Sequence, residues 1–145
     1  MKTSKDVMTP NPVCCLPTDH VSAVAQIMKR ENIGSMPVID NTESQKLIGI
    51  ITDRDLAMRV VGKGCDVEST KVESVMTRKV VTCREDDELK RALKSMSDHQ
   101  IRRIVIVDSA NKVVGIISQA DLATRMNQPE KTAEVVKDIS QSNTD

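Results

Sequence analysis

Apolar positions fall into two spacings along this chain, and each spacing occurs twice. Val21, Val24, Ala25 and Met28 follow the i, i+3, i+4, i+7 pattern of one helix face, and Leu89, Ala92, Leu93 and Met96 reproduce it position for position. These faces predict helices over residues 19–31 and 87–98, with Thr18 and Asp86 standing ahead of them where N-caps are expected. Short apolar runs predict paired strands at 36–39 and 47–51, each pair flanking a polar turn, and again at 104–107 and 113–117. Further short strands are expected at 12–16 and 80–83, and short helices from Asp53 and Gln119. Each half thus reads strand, helix, strand, strand, helix.

The halves align as a repeat. From Val7-Met8-Thr9 to Val75-Met76-Thr77 the shift is 68 residues, and it carries Val13 onto Val81, Cys15 onto Cys83 and Asp40 onto Asp108. Beyond the polar turn the shift becomes 66, with Gly49-Ile50-Ile51 on Gly115-Ile116-Ile117 and Asp55-Leu56-Ala57 on Asp121-Leu122-Ala123. The slip lies in a turn, where insertions are tolerated. Strands this short cannot form a stable domain alone. The expected class is α/β (α+β): two β-α-β-β-α units packed sheet to sheet with pseudo-twofold symmetry. The first unit is expected at 4–62, a Gly-containing polar linker at 63–71, and the second unit at 72–127. A polar tail follows at 128–145, whose small apolar cluster leaves two expectations open, one short helix or partial disorder.

Composition narrows the function classes. The 145 residues carry 21 basic and 21 acidic side chains, so nothing favours a nucleic-acid partner. There is no Phe, Trp or Tyr, which removes base stacking as a binding mode and leaves Val, Ile, Leu, Ala and eight Met for the core. No apolar run reaches the length of a membrane span. Cys14, Cys15, Cys65 and Cys83 match neither a disulfide framework nor a C-x-x-C metal site, and a soluble cytoplasmic setting is expected.

Both halves place a hydroxyl and a carboxylate three residues apart after a strand: Thr52 with Asp55, and Ser118 with Asp121. The structural explanation is a capping box, in which these side chains satisfy free backbone N–H groups. The functional one is a ligand contact, because a carboxylate accepts two hydrogen bonds from the vicinal diol of a ribose. A phosphate would need a cation, and Arg102, Arg103 and Arg54 are the candidates.

Two copies of Val-Met-Thr, an apolar helix, Met36-Pro37-Val38-Ile39-Asp40 or Ile104-Val105-Ile106-Val107-Asp108, and Gly-Ile-Ile-Thr/Ser-x-x-Asp closely resemble the cystathionine-β-synthase (CBS) domain pair over residues 4–127. The chain length and the Thr52-Asp53-Arg54-Asp55 form are most similar to small stand-alone CBS-pair proteins of the hypoxic response type. The resemblance implies a regulatory, non-catalytic module that binds AMP, ADP, ATP or S-adenosylmethionine in inter-repeat clefts. It implies ribose and phosphate contacts at Thr52, Asp55, Ser118 and Asp121, and a base among Thr9, Val13, Met36, Pro37, Thr77 and Val81. It also implies a homodimer and an effector protein that reads occupancy. Val105 stands where the first repeat has Pro37, and Arg102 and Arg103 stand where it has Gly34 and Ser35, so the two clefts should differ.

Two other classes remain. Neither His20 nor His99 lies in a catalytic or metal spacing, and no Gly-rich phosphate loop is present, so an enzyme is not expected. A redox- or stress-responsive interaction module without nucleotide is the alternative. Cys14 and Cys15 should then point to opposite sides of a strand.

Overall fold

Every strand expected around the polar turns forms. The computed structural model describes residues 2–119 and Leu122. Its elements are α1 (Ser4–Val7), β1 (Thr9–Pro10), α2 (Val21–Glu31), β2 (Ser35–Ile39) and β3 (Leu47–Thr52). Then come α3 (Asp53–Asp55), running on as a π-helical stretch (Leu56–Val61), α4 (Val72–Val75), β4 (Thr82–Arg84), α5 (Leu89–His99), β5 (Arg103–Val107) and β6 (Val113–Ser118). The fold is α+β, with two compact units. We call Val13–Val80 the central unit, and Met1–Pro12 with Val81–Asp145 the split unit.

The units do not follow the repeat boundaries. The split unit has a four-stranded sheet in the order β1-β6-β5-β4, with Thr9 opposite Ile116 and Cys83 opposite Ile106. The central unit has the β2–β3 hairpin, flanked by single bridges from Thr77 to Ile50 and from Cys15 to Val38. Those bridges match the split unit's pairings residue for residue under the repeat alignment. Each Val-Met-Thr segment therefore completes the sheet of the other repeat. The segment expected as a strand at 12–16 contributes one bridge and no strand, whereas its counterpart forms β4.

Glycine permits this exchange. A Cβ on Gly49 would lie 2.7 Å from Met76 Sδ and 3.0 Å from the Thr77 carbonyl oxygen, and one on Gly115 would overlap Met8 Sδ. The Gly of each Gly-Ile-Ile is the place where the exchanged segment crosses against the strand.

The exchanged segment also finishes the long helices. The Val21 N–H donates to Thr70 O and the Leu89 N–H to Lys2 O, both within 3.0 Å. These contacts supply partners for first-turn donors that helix geometry leaves free. The caps consequently lie two residues beyond Thr18 and Asp86, at His20 and Glu88, and neither of these makes a side-chain cap bond. Asp19 and Asp87 instead accept the Leu16 and Arg84 N–H groups, each at 2.8 Å, shaping the approach turn. Both helices end on a left-handed residue, Asn32 (φ 54°) and Gln100 (φ 55°).

Two apolar cores result. In the central unit Val21, Val24 and Met28 pack with Met36, Val38, Ile51 and the exchanged Val72, Val75 and Met76. In the split unit Leu89, Ala92, Leu93 and Met96 pack with Ile104, Ile106, Ile117 and the exchanged Val7 and Met8. Ala25 is the departure from the expected faces. It is exposed, while half-buried Ile27 packs on that core.

Candidate functional site

The Thr52–Asp55 pair at the end of β3 is densely hydrogen-bonded and part-buried. Asp55 Oδ2 accepts the Thr52 N–H at 3.0 Å and the Thr52 hydroxyl at 3.2 Å, and the Asp55 N–H donates back to Thr52 Oγ1 at 3.1 Å. The capping box expected from the sequence is therefore present. Two further groups reach the other carboxylate oxygen from outside the box. The Thr77 hydroxyl donates to Oδ1 at 3.1 Å, and Arg59 Nε lies 3.8 Å from it. Arg59 Nη1 also donates to the carbonyls of Val75 and Met76, each at 3.2 Å.

A second capping box in the same chain shows what a cap alone requires. At α1 the Thr3 N–H and hydroxyl both donate to Asp6 Oδ2, and those contacts are exposed. The backbone bond from Thr3 holds the Asp6 carboxyl below its ordinary value. Asp55, by contrast, is 7% exposed and is the one buried acidic side chain among the described residues. Burying a carboxylate is costly unless it is hydrogen-bonded and paired. Thr52, Thr77 and Arg59 together meet that cost and tie the helix start to the exchanged segment.

Sequence reasoning missed Arg59. The signal was present: Asp55-Leu56-Ala57-Met58-Arg59 recurs as Asp121-Leu122-Ala123-Thr124-Arg125, an acid and a base at i, i+4 in both repeats.

The remaining expected residues divide between the units. In the central unit Pro37, Ile50 and Thr77 stand opposite one another across the sheet, with Pro37 buried and Thr77 half-buried. Met36 is wholly buried in the core beneath them, while Val13 is 40% exposed. Arg54 is exposed, and its backbone N–H donates to Asp53 Oδ1. In the split unit the corresponding row is Val105, Ile116 and Thr9. Val81 packs against that unit's core. Arg103 lies opposite Ser118 at the strand end, where the central unit has Ser35 opposite Thr52. The Arg102 carbonyl accepts the Gln119 N–H at 3.1 Å. Asp121 and the tail expected at 128–145 lie outside the described residues.

Cys14, Cys15 and Cys83 are poorly suited to react. Cys15 is 3% exposed, and burial first, then Asp19 and Cys14, push its thiol up to about 12. Burial pushes half-buried Cys14 up to about 11 and raises Cys83 as well. A reactive cysteine needs the opposite shift. Among the described residues no group of three His, Cys, Asp or Glu side chains is arranged to hold a metal ion, and no helix is long and apolar enough to cross a membrane.

Comparison with known proteins places this geometry in context. The family model described as the CBS domain matches residues 5–62 and again 72–127. A CBS domain-containing protein of Bacillus subtilis, YhcV, is 36% identical over 143 residues, covering 99% of each chain. The CBS domain pair of protein MJ0100, solved in complex with 5-methylthioadenosine and S-adenosyl-L-methionine, superposes with a TM-score of 0.73 at 29% identity, covering 85% of this chain and 94% of that one. Hypoxic Response Protein I, solved with two coordinated zinc ions, superposes with a TM-score of 0.76 at 25% identity over 86% of this chain and 99% of that one.

Proposed function

The chain belongs to the CBS domain family, as a tandem pair, and on that premise we propose that it is a non-catalytic regulatory module sensing an adenosine-containing ligand. The observation that carries the reading is the burial of Asp55 among Thr52, Thr77 and Arg59. A carboxylate offers about four acceptor positions. The three hydrogen bonds on Asp55 leave one on Oδ1, beside Arg59 at 3.8 Å. A ribose hydroxyl would take that position on Oδ1, held in place by the Thr77 hydroxyl beside it. Pro37 and Val13 would border the base, with Met36 supporting them from the core. In the split unit Ser118 beside Arg103, with Arg102, Thr9, Val81 and Asp121, would form the second site. The cation favours a phosphate there. AMP, ADP, ATP and S-adenosylmethionine are the ligands to test, and the S-adenosylmethionine bound to the MJ0100 pair supports including it.

Ligand binding alone does nothing unless another contact depends on it. The proposal therefore includes an effector protein and a homodimer. Met58 (59% exposed) and Val61 (74% exposed) on the π-helical stretch are apolar surface available for such a contact. The raised thiols disfavour the redox alternative.

Titration calorimetry with each ligand, and thermal melting followed by circular dichroism, test the reading. A ligand selective for the folded chain at 100 times its Kd adds about 2.7 kcal/mol of stability. Thr77→Val and Asp55→Asn should weaken binding about tenfold or more, whereas Asp6→Asn, which alters the exposed cap, should not. Unchanged melting with all four ligands would sink the adenosine reading.

A further inference from the structure

At the carboxyl ends of β4 and β5 the split unit holds an open cavity of about 640 Å³. It lies between the β4 end, the β5–β6 turn and the face of α5 that presents Arg91 and Ser95. It includes neither Ser118 nor any of the ligand contacts discussed above.

The repeat separates what the fold requires here from what it does not. Asp87 accepts the Arg84 N–H at 2.8 Å, as Asp19 accepts the Leu16 N–H in the central unit. Asp108 accepts the Ala110 and Lys112 N–H groups, each at 2.9 Å, as Asp40 accepts those of Asn41 and Lys46. Both acids are therefore turn-builders common to the two units. Arg84, Arg91 and Ser95 are different. Under the alignment their counterparts are Leu16, Ala23 and Ile27, so the same fold is made with apolar residues at all three places.

These substitutions place two guanidinium-bearing side chains and a hydroxyl around one hollow. The Arg84 guanidinium has no ion pair or hydrogen bond among the described residues. Arg91 is 75% exposed and only loosely paired, at 3.8 Å, with Asp87. Such an exposed pair contributes little and is easily exchanged for a better anion. The hydroxyls of Thr82, Ser95 and Ser109 make no hydrogen bond among the described residues and border the same space. Guanidinium groups favour phosphate oxygens, and free hydroxyls favour a polyol. The volume lies within the range of small-molecule sites and far exceeds a lone phosphate.

We propose that this cavity is a second ligand site, separate from the adenosine site, which takes a small phosphorylated polyol through Arg84 and Arg91.

The test uses the full chain, isotope-labelled for amide spectra, with glucose 6-phosphate, glucose and inorganic phosphate as probes. Glucose 6-phosphate should give saturable shifts at the amides of Thr82–Arg84 and of residues 107–111. Arg84→Leu and Arg91→Ala install the residue types that the central unit carries at these places, so folding should persist, as circular dichroism would verify. Each should weaken glucose 6-phosphate about tenfold, the loss expected for a charge-assisted hydrogen bond. Thr77→Val should leave this affinity unchanged, separating it from the adenosine site. Absent or non-saturating shifts, or full affinity in the folded double variant, would overturn the site. Glucose binding as well as its phosphate would overturn the anion assignment, and inorganic phosphate binding equally well would overturn the polyol.

Discussion

The central and split units share a sheet order and two matching helices, yet their edges have diverged chemically. Ile51 and Ile117 are equivalent and both wholly buried, as are Val24 and Ala92 within about 1%. At the β3 and β6 ends, however, Ser35 faces Thr52 while Arg103 faces Ser118. Around the helix start, Leu16, Ala23 and Ile27 oppose Arg84, Arg91 and Ser95. The difference shows which positions packing dictates and which it leaves open. A buried position must fill a fixed volume, so both copies keep it apolar. An edge position has no such constraint and can acquire a ligand.

The largest expected effect tests the shared core. Ile51→Ala and Ile117→Ala should each cost about 2–5 kcal/mol, the range for truncating a buried aliphatic side chain. Urea denaturation followed by circular dichroism at 222 nm measures both. A cost in one unit and none in the other would break the equivalence.

Next comes the exchanged segment. Arg59→Ala removes the ion pair to Asp55 and both bonds to the Val75 and Met76 carbonyls, and should cost about 1–3 kcal/mol. Gly49→Ala should cost a similar amount, roughly 1–3 kcal/mol, because the Thr77 backbone must move away from the new methyl. Amide exchange at Thr77 should accelerate in both variants. If it stays unchanged, Arg59 does not hold the segment.

An alkaline asymmetry should also appear. Folding raises the Cys14 and Cys15 thiols from 9.0 to about 11 and about 12, so the native state holds protons that the unfolded chain releases. Stability is then complete below pH 9 and falls as pH rises towards 11 or 12. Cys15→Ala should flatten that fall in urea midpoints taken between pH 8 and 11, and an equally steep fall would refute the assignment.

The smallest effect belongs to the surface of α5. Lys94 and Asp98 pair at 3.0 Å with both side chains more than half exposed, and Lys94→Met should change stability by less than about 0.5 kcal/mol. A larger loss would mean that the α5 surface does structural work.

Much of this was legible from single residues and their spacing. The strand pairs around the two turns, the long helices and the Thr52–Asp55 box all rest on local patterns. The caps were misplaced because Thr70 O and Lys2 O, far along the chain, receive the first helix N–H groups. Arg59 was legible only in part: its i, i+4 spacing from Asp55 recurs in both repeats, whereas its bonds to backbone carbonyls 16 and 17 residues away leave no mark in side-chain spacing.

The sequence by itself determined the duplication, the α+β class and the positions that must be buried, because side-chain periodicity is a local property of helix and strand. Only the tertiary structure decided that each Val-Met-Thr segment completes the other repeat's sheet. It also decided that Asp55 is a buried centre held by Thr77 and Arg59, and that a cavity opens in the split unit. Strand partners and cavities depend on which distant surfaces meet, and a strand edge accepts any chain that fits it. Gly49 and Gly115 supplied the fit.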